Sequence, residues 1–160
     1  MTYKAYTLNL GRCPQSVISD IWVDYPLNPD TVLMPDDAVK CRGKWDTGCN
    51  MTCISPTVAN SLCLPPGRHI EVKTPHGTTT STNTVFVSLK IPNGQILPSV
   101  EVCIAHMVDA DMLIGMDVIS LGDFALTRNK YGEMIMSICM PPMMTVDFNP
   151  VAAEVNNGRL

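Results

Sequence analysis

Thirteen prolines and ten glycines are spread through 160 residues, and breakers that close together leave room only for short elements. The segments between them alternate. Val39, Cys41, Gly43 and Trp45 fall on one face of an extended chain, with Lys40, Arg42 and Lys44 on the other, as in a half-buried strand. Val85, Val87, Leu89 and Ile91 form a second apolar face, Pro92-Asn93-Gly94 reads as a hairpin turn, and Val100, Val102 and Ile104 return. Residues 3–8 and 19–23 are earlier strands, and residues 124–127 pair with 134–140 across 128–132. Helical signals are brief. Ser55 and Pro56 are an N-cap and a first-turn proline for a helix to Leu62, and residues 117–121 read as a second helix capped by Asp117. The expected class is all-β, a small barrel or sandwich with one or two short helices.

The hydrophobic content of 46% is enough for one buried core, and the charged content of 16% is too low for a disordered chain. Residues 1–142 are expected to form a single domain, and residues 143–160, beyond Pro141-Pro142, a C-terminal tail that is loose over residues 151–160. The net charge is -4, and Lys and Arg are scattered with no basic block, which argues against nucleic acid as a partner. No apolar run approaches the roughly 18 residues a membrane span needs. The first residues lack a basic stretch followed by an apolar one, and seven cysteines without a compact framework suit a reducing compartment, so the expected location is cytoplasmic.

Other chemistries find little support. Cys49 and Cys53 are spaced tolerably for a metal, but Cys63 brings no second close pair, so no metal is expected. No phosphate-binding glycine loop or dinucleotide fingerprint occurs, so no cofactor is expected. His106, Asp109 and Asp111 read as a surface turn. Met134, Met136, Met140, Met143 and Met144 read as adaptable core filling or an apolar edge.

Two motifs carry chemistry. The first is Asp46-Thr47-Gly48, at the end of the alternating run that finishes in Trp45. Taken alone, Asp-Thr-Gly is also an ordinary turn between strands. The second is Asp111-Met112-Leu113-Ile114-Gly115-Met116-Asp117-Val118-Ile119, in which a glycine ends an aliphatic strand just before a short helix.

Together these motifs resemble the retropepsin-like, retroviral-type aspartic proteases, most of all the single-domain bacterial members. The resemblance runs from about residue 39 to 140 and rests on residues 44–50 and 113–127, with residues 74–79 where the family has its flap. It implies a closed all-β acid-protease barrel and a homodimer with one active site on the two-fold axis. It also implies an aspartic-type endopeptidase that acts on peptides or proteins. By resemblance Asp46 is the catalytic aspartate. Thr47 and Gly48 shape its loop, Leu113, Ile114 and Gly115 support it from below, and His76, Gly77 and Thr78 belong to a flap that closes on substrate. The chain departs from the pattern at Cys49, where alanine is common, and at Met116, where retroviral members carry arginine.

The chemistry agrees with that implication. Two carboxylates about 3 Å apart cannot both ionise and so share a proton. One then activates water while the other polarises the scissile carbonyl. A single Asp-Thr-Gly per chain makes catalysis depend on self-association. The alternative is a dimeric module of the same fold that binds peptides or assembles without cleaving them; a third reading is a domain that processes only itself.

Overall fold

The computed structural model describes residues 2–30, 33–73, 77 and 79–157. Among these, the strands and helices run β1 (Lys4–Gly11), β2 (Val17–Asp24), β3 (Val39–Trp45), β4 (Cys53–Ile54), α1 (Pro56–Ser61), β5 (His69–Lys73), β6 (Thr79–Lys90), β7 (Ile96–Ile104), β8 (Met112–Ile114), α2 (Met116–Ile119), β9 (Asp123–Arg128), β10 (Met134–Met140) and α3 (Asn149–Asn156). The expected all-β class and its closed barrel are borne out.

The larger sheet has the order β2-β3-β8-β4-β7-β6-β5, and β2 also pairs with β6. That extra pairing closes the ring. It is made by Trp22–Asp24 against Ser88–Lys90. One edge of β6 follows β7, while the other serves β5 at Thr79–Asn83 and β2 at its far end. A register shift lies between Val87 and Leu89, where β6 changes partners, and such irregularities bend a strand.

The alternation predicted for β3 is visible in its burial. Cys41, Gly43 and Trp45 are buried, and Lys40 and Arg42 are exposed. Gly43 has a steric reason: a Cβ there would run into the side chain of Ile21 on the neighbouring β2, a fully buried core residue. Pro92-Asn93-Gly94 turns β6 into β7, with Gly94 at φ +78° and the Gln95 N–H donating to the Asn93 side chain (2.8 Å). The start of β1 docks on this turn. Lys4 Nζ donates to the Gly94 carbonyl (2.7 Å), and Asn93 Nδ2 donates to the Lys4 carbonyl (2.8 Å).

The second sheet, in the order β1-β10-β9, lays Met136, Ile138 and Met140 into the same core as the barrel residues Trp45, Val87 and Ile114. Met136 and Met140 are thus core filling, whereas Met143 and Met144 are exposed. Residues outside the resemblance take part fully: β1 edges the small sheet and β2 is one of the strands in the ring.

Two expectations need correction. Asp117 is not a cap, because Gly115 holds the N-cap position and Asp117 lies inside α2; its carboxylate is engaged elsewhere. The C-terminal tail, expected to be loose over residues 151–160, contains α3, whose residues are all exposed. Its start is favoured by Pro150 in the first turn and by Asp147, whose side chain accepts from the Asn149 N–H (2.9 Å). Among the described residues, no helix is long and apolar enough to cross a membrane.

Candidate active site

The chain passes from β3 through residues 46–52 into β4, and β8 lies between those two strands. β8 runs parallel to β3, with Trp45 opposite Ile114, and antiparallel to β4, with Cys53 opposite Leu113. The connecting loop must therefore cross the end of β8, where Ile114 and Gly115 are buried beneath it. Glycine is required at that crossing. A Cβ on Gly115 would sit 2.8 Å from the Met51 carbonyl carbon and 2.9 Å from the Cys49 oxygen, with backbone on both sides. Gly115→Ala is expected to cost about 1–3 kcal/mol, measured by urea denaturation; an unchanged midpoint would mean that the loop has room to rise.

Asp46 opens the loop. Its N–H donates to the Ile114 carbonyl (2.9 Å), and its carbonyl accepts from the Cys49 N–H (3.1 Å). Its carboxylate accepts from the Gly48 N–H (2.9 Å). Asp46 is half-buried, while Thr47 and Gly48 are exposed, so the carboxylate stands at the rim of the fold and not in its core. Trp45, one residue earlier, fixes the end of β3. Its indole N–H donates to Ser19 Oγ (2.8 Å), and its ring stacks on Phe124 at 5.6 Å.

The far end of the loop is held by Thr52, which the sequence reading did not assign, together with Asp117, which it read as a cap, and Gly115, which it read as loop support. Thr52 is fully buried. Its N–H and hydroxyl both donate to the Asp117 carboxylate (2.9 and 2.7 Å), and its hydroxyl oxygen accepts from the Gly115 N–H (3.0 Å). The Met116 N–H donates to the Cys49 carbonyl (2.8 Å). A clamp of residues 115–117 thus grips the loop from below. The one sequence signal for it is an acidic residue, Asp117, inside an aliphatic run. Asp111, read as part of a surface turn, has a structural role: its carboxylate accepts from the Arg42 N–H (2.8 Å), and its carbonyl accepts from the Ser55 N–H (2.9 Å).

β5 and β6 form the hairpin whose tip was read as a flap, with Lys73 opposite Thr79. Gly77 has φ +76°, a left-handed conformation that suits glycine at a tip; His76 and Thr78 lie outside the described residues. The hairpin's base is pinned to β7. Arg68 forks onto Glu101 (2.8 and 2.6 Å), and the Thr84 hydroxyl adds a bond of 2.7 Å to the same carboxylate. Bonding to Arg68, then to Thr84, holds the Glu101 carboxyl below its ordinary range. A cavity of about 460 Å³ opens between the hairpin and the barrel, lined by Cys53, Val72, Thr80, Thr82, Cys103 and His106 among others. Asp46 is not among its described lining residues. Among the described residues, no group of three or more His, Cys, Asp or Glu side chains is arranged to hold a metal.

The architecture recurs in the crystal structure of a retropepsin-like aspartic protease from Rickettsia conorii. The TM-score is 0.51 at 14% identity, over 87% of this chain and 96% of that one. EIAV protease, complexed with the inhibitor HBY-793, superposes with a TM-score of 0.48 at 14% identity, over 66% of this chain and 86% of that one. No curated protein matches the sequence. Residues 39–120, just over half of the chain, match the family described as "gag-polyprotein putative aspartyl protease". Because that match takes in the strand entering Asp46, the loop itself and the glycine beneath it, the chain belongs to the retropepsin-like aspartic proteases.

Proposed function

We propose that this protein is an aspartic endopeptidase working as a homodimer, with one Asp46 contributed by each subunit. The observation that carries this reading is the placement of Asp46: a single carboxylate at the rim of the fold, on a loop gripped from beneath, with exposed Thr47 and Gly48 beside it. In the dimer the two carboxylates share one proton. The ionised one takes a proton from a water held between them, and the protonated one donates to the scissile carbonyl oxygen. Thr47 is exposed, and its side chain has no hydrogen-bond partner among the described residues, which leaves it free to bond across the dimer axis. Leu113, Ile114 and Gly115 are the support beneath each loop. The flap residues His76, Gly77 and Thr78 close on an extended peptide, which is held by backbone bonds with apolar side chains in subsites. No cofactor enters the mechanism, and the working compartment is the cytoplasm.

Dilution tests the shared site. With a mixture of unstructured peptides as substrate, the initial rate is expected to vary with the square of chain concentration below the dimer dissociation constant and linearly above it. A linear rate throughout, from a protein that sediments as a monomer, would sink the two-subunit mechanism. A dimer that retains peptides without cutting them at any pH would favour a binding or assembly module.

A further inference from the structure

Three thiols gather on one side of the Asp46 loop. Strands β4 and β7 run parallel with Cys53 opposite Cys103, and their sulfurs are 2.9 Å apart. Paired strands lie about 4.8 Å apart, within the Cα separations of about 4.4–6.8 Å that a disulfide spans, so the bond closes with little backbone movement. Both residues are buried, yet both line the cavity under the flap hairpin. Cys49 joins them. Its thiol and that of Cys53 donate to the same Met51 carbonyl oxygen, at 2.9 and 3.2 Å. Cys49 is half-buried, so a small solute from solvent meets it first.

We propose that Cys49, Cys53 and Cys103 form a thiol relay that accepts oxidation by a peroxide at Cys49 and passes it on as a Cys53–Cys103 disulfide. In the first step the Cys49 thiolate attacks one peroxide oxygen. The O–O bond breaks, hydroxide leaves from hydrogen peroxide (alkoxide from an alkyl hydroperoxide) and takes up a proton to give water (or the alcohol), and Cys49 becomes a sulfenic acid. The Cys53 sulfur then attacks the Cys49 sulfur; the S–O bond breaks, a second water leaves, and a Cys49–Cys53 disulfide forms. In the last step the Cys103 sulfur attacks Cys53 and expels the Cys49 thiolate. Overall, two thiols and one hydrogen peroxide give one disulfide and two waters.

The ionisation pattern suits the first and last of these steps. Bonding to Cys53 holds the Cys49 thiol low, at about 7, so thiolate is abundant at neutral pH. Bonding to Cys103, then to Cys49, pushes Cys53 up, and bonding to Cys53 pulls Cys103 down. Cys41 provides a contrast: burial, with a smaller contribution from Asp111, pushes its thiol up to about 12. The relay returns Cys49 to its thiol before further oxidation can place a sulfinate beside Asp46. That matters because the Cys49 N–H and carbonyl both hold the loop.

The test treats the reduced full-length chain with a slight excess of hydrogen peroxide, alkylates it in denaturant and maps every cysteine by mass spectrometry. Loss of two of the seven thiols as a Cys53–Cys103 linked peptide, restored by dithiothreitol, is expected. Cys103→Val should stop at the Cys49–Cys53 disulfide. Cys53→Val should accumulate Cys49 sulfinic acid about 10-fold above the native chain, and Cys49→Ser should slow disulfide formation about 10-fold. The relay is overturned if Cys53 and Cys103 alkylate as fully as Cys41 while exposed Cys13 or Cys63 oxidises. It is equally overturned if Cys49→Ser forms the disulfide at the native rate. The native-chain map needs no substitution, so a variant that fails to fold leaves it decisive. None of these readouts depends on peptide cleavage.

Discussion

Asp46→Asn is expected to lower peptide cleavage by roughly 10³-fold or more while leaving the fold in place. In a dimer the change strikes both carboxylates, and two amides neither take a proton from water nor hold the shared proton that polarises the substrate. The loop keeps its shape because the asparagine oxygen still accepts from the Gly48 N–H, now bonded to Asp46 at 2.9 Å. Asp46 is only half-buried, so the stability change is expected to stay within about 0.5 kcal/mol. A mixing experiment separates a shared site from two independent ones. When equal amounts of native and Asp46→Asn chains are allowed to exchange, random pairing leaves about one quarter of dimers fully native. Activity per total chain should then fall to about one quarter of the unmixed native value. A fall to one half, or cleavage that survives in the pure variant, would place the chemistry elsewhere.

Local pattern was enough for the elements that display one buried face. The alternation through Val39, Cys41, Gly43 and Trp45 located β3 and aimed it at Asp46. Pro92-Asn93-Gly94 located the β6–β7 turn, and Ser55-Pro56 located the start of α1, where Ser55 Oγ accepts from the Val58 N–H (3.3 Å). The two-residue β4 and the edge strand β5, with half-buried Ile70 and Val72 between exposed residues, give signals too short or too weak to find. Which strands close the barrel was not legible in local pattern, for a different reason. The pairing of Trp22–Asp24 with Ser88–Lys90 is a choice between distant edges, and alternation says which face is buried without saying which strand lies alongside. Asp117 shows the same limit within the candidate site. An acid at the start of a helical run reads locally as a cap. Its partner, Thr52, is 65 positions away, and no spacing rule connects them.

That Thr52–Asp117 pair should behave as one coupled unit. Asp117→Ala removes the acceptor from the Thr52 N–H, the Thr52 hydroxyl and the Val118 N–H. Thr52 is fully buried, whereas Asp117 is half-buried, so water can replace some of the lost bonds but not all; the expected cost is about 3 kcal/mol. Thr52→Val keeps the shape but strands the buried Gly115 N–H, which donates to the Thr52 hydroxyl at 3.0 Å, and should cost about 2 kcal/mol. Once either member is gone, losing the other removes less. The double variant should therefore fall short of the sum by about 1–2 kcal/mol, measured as urea midpoints at constant slope. Simple additivity would mean that the two residues do not act together. Asp117→Asn should be intermediate. One face of its side chain still accepts from the hydroxyl, but the amide group then meets the Thr52 N–H donor to donor. Because the clamp grips the loop beneath Asp46 without reaching the rim, Thr52→Val is expected to lower kcat more than it raises KM. The reverse split would instead assign this pair to holding substrate.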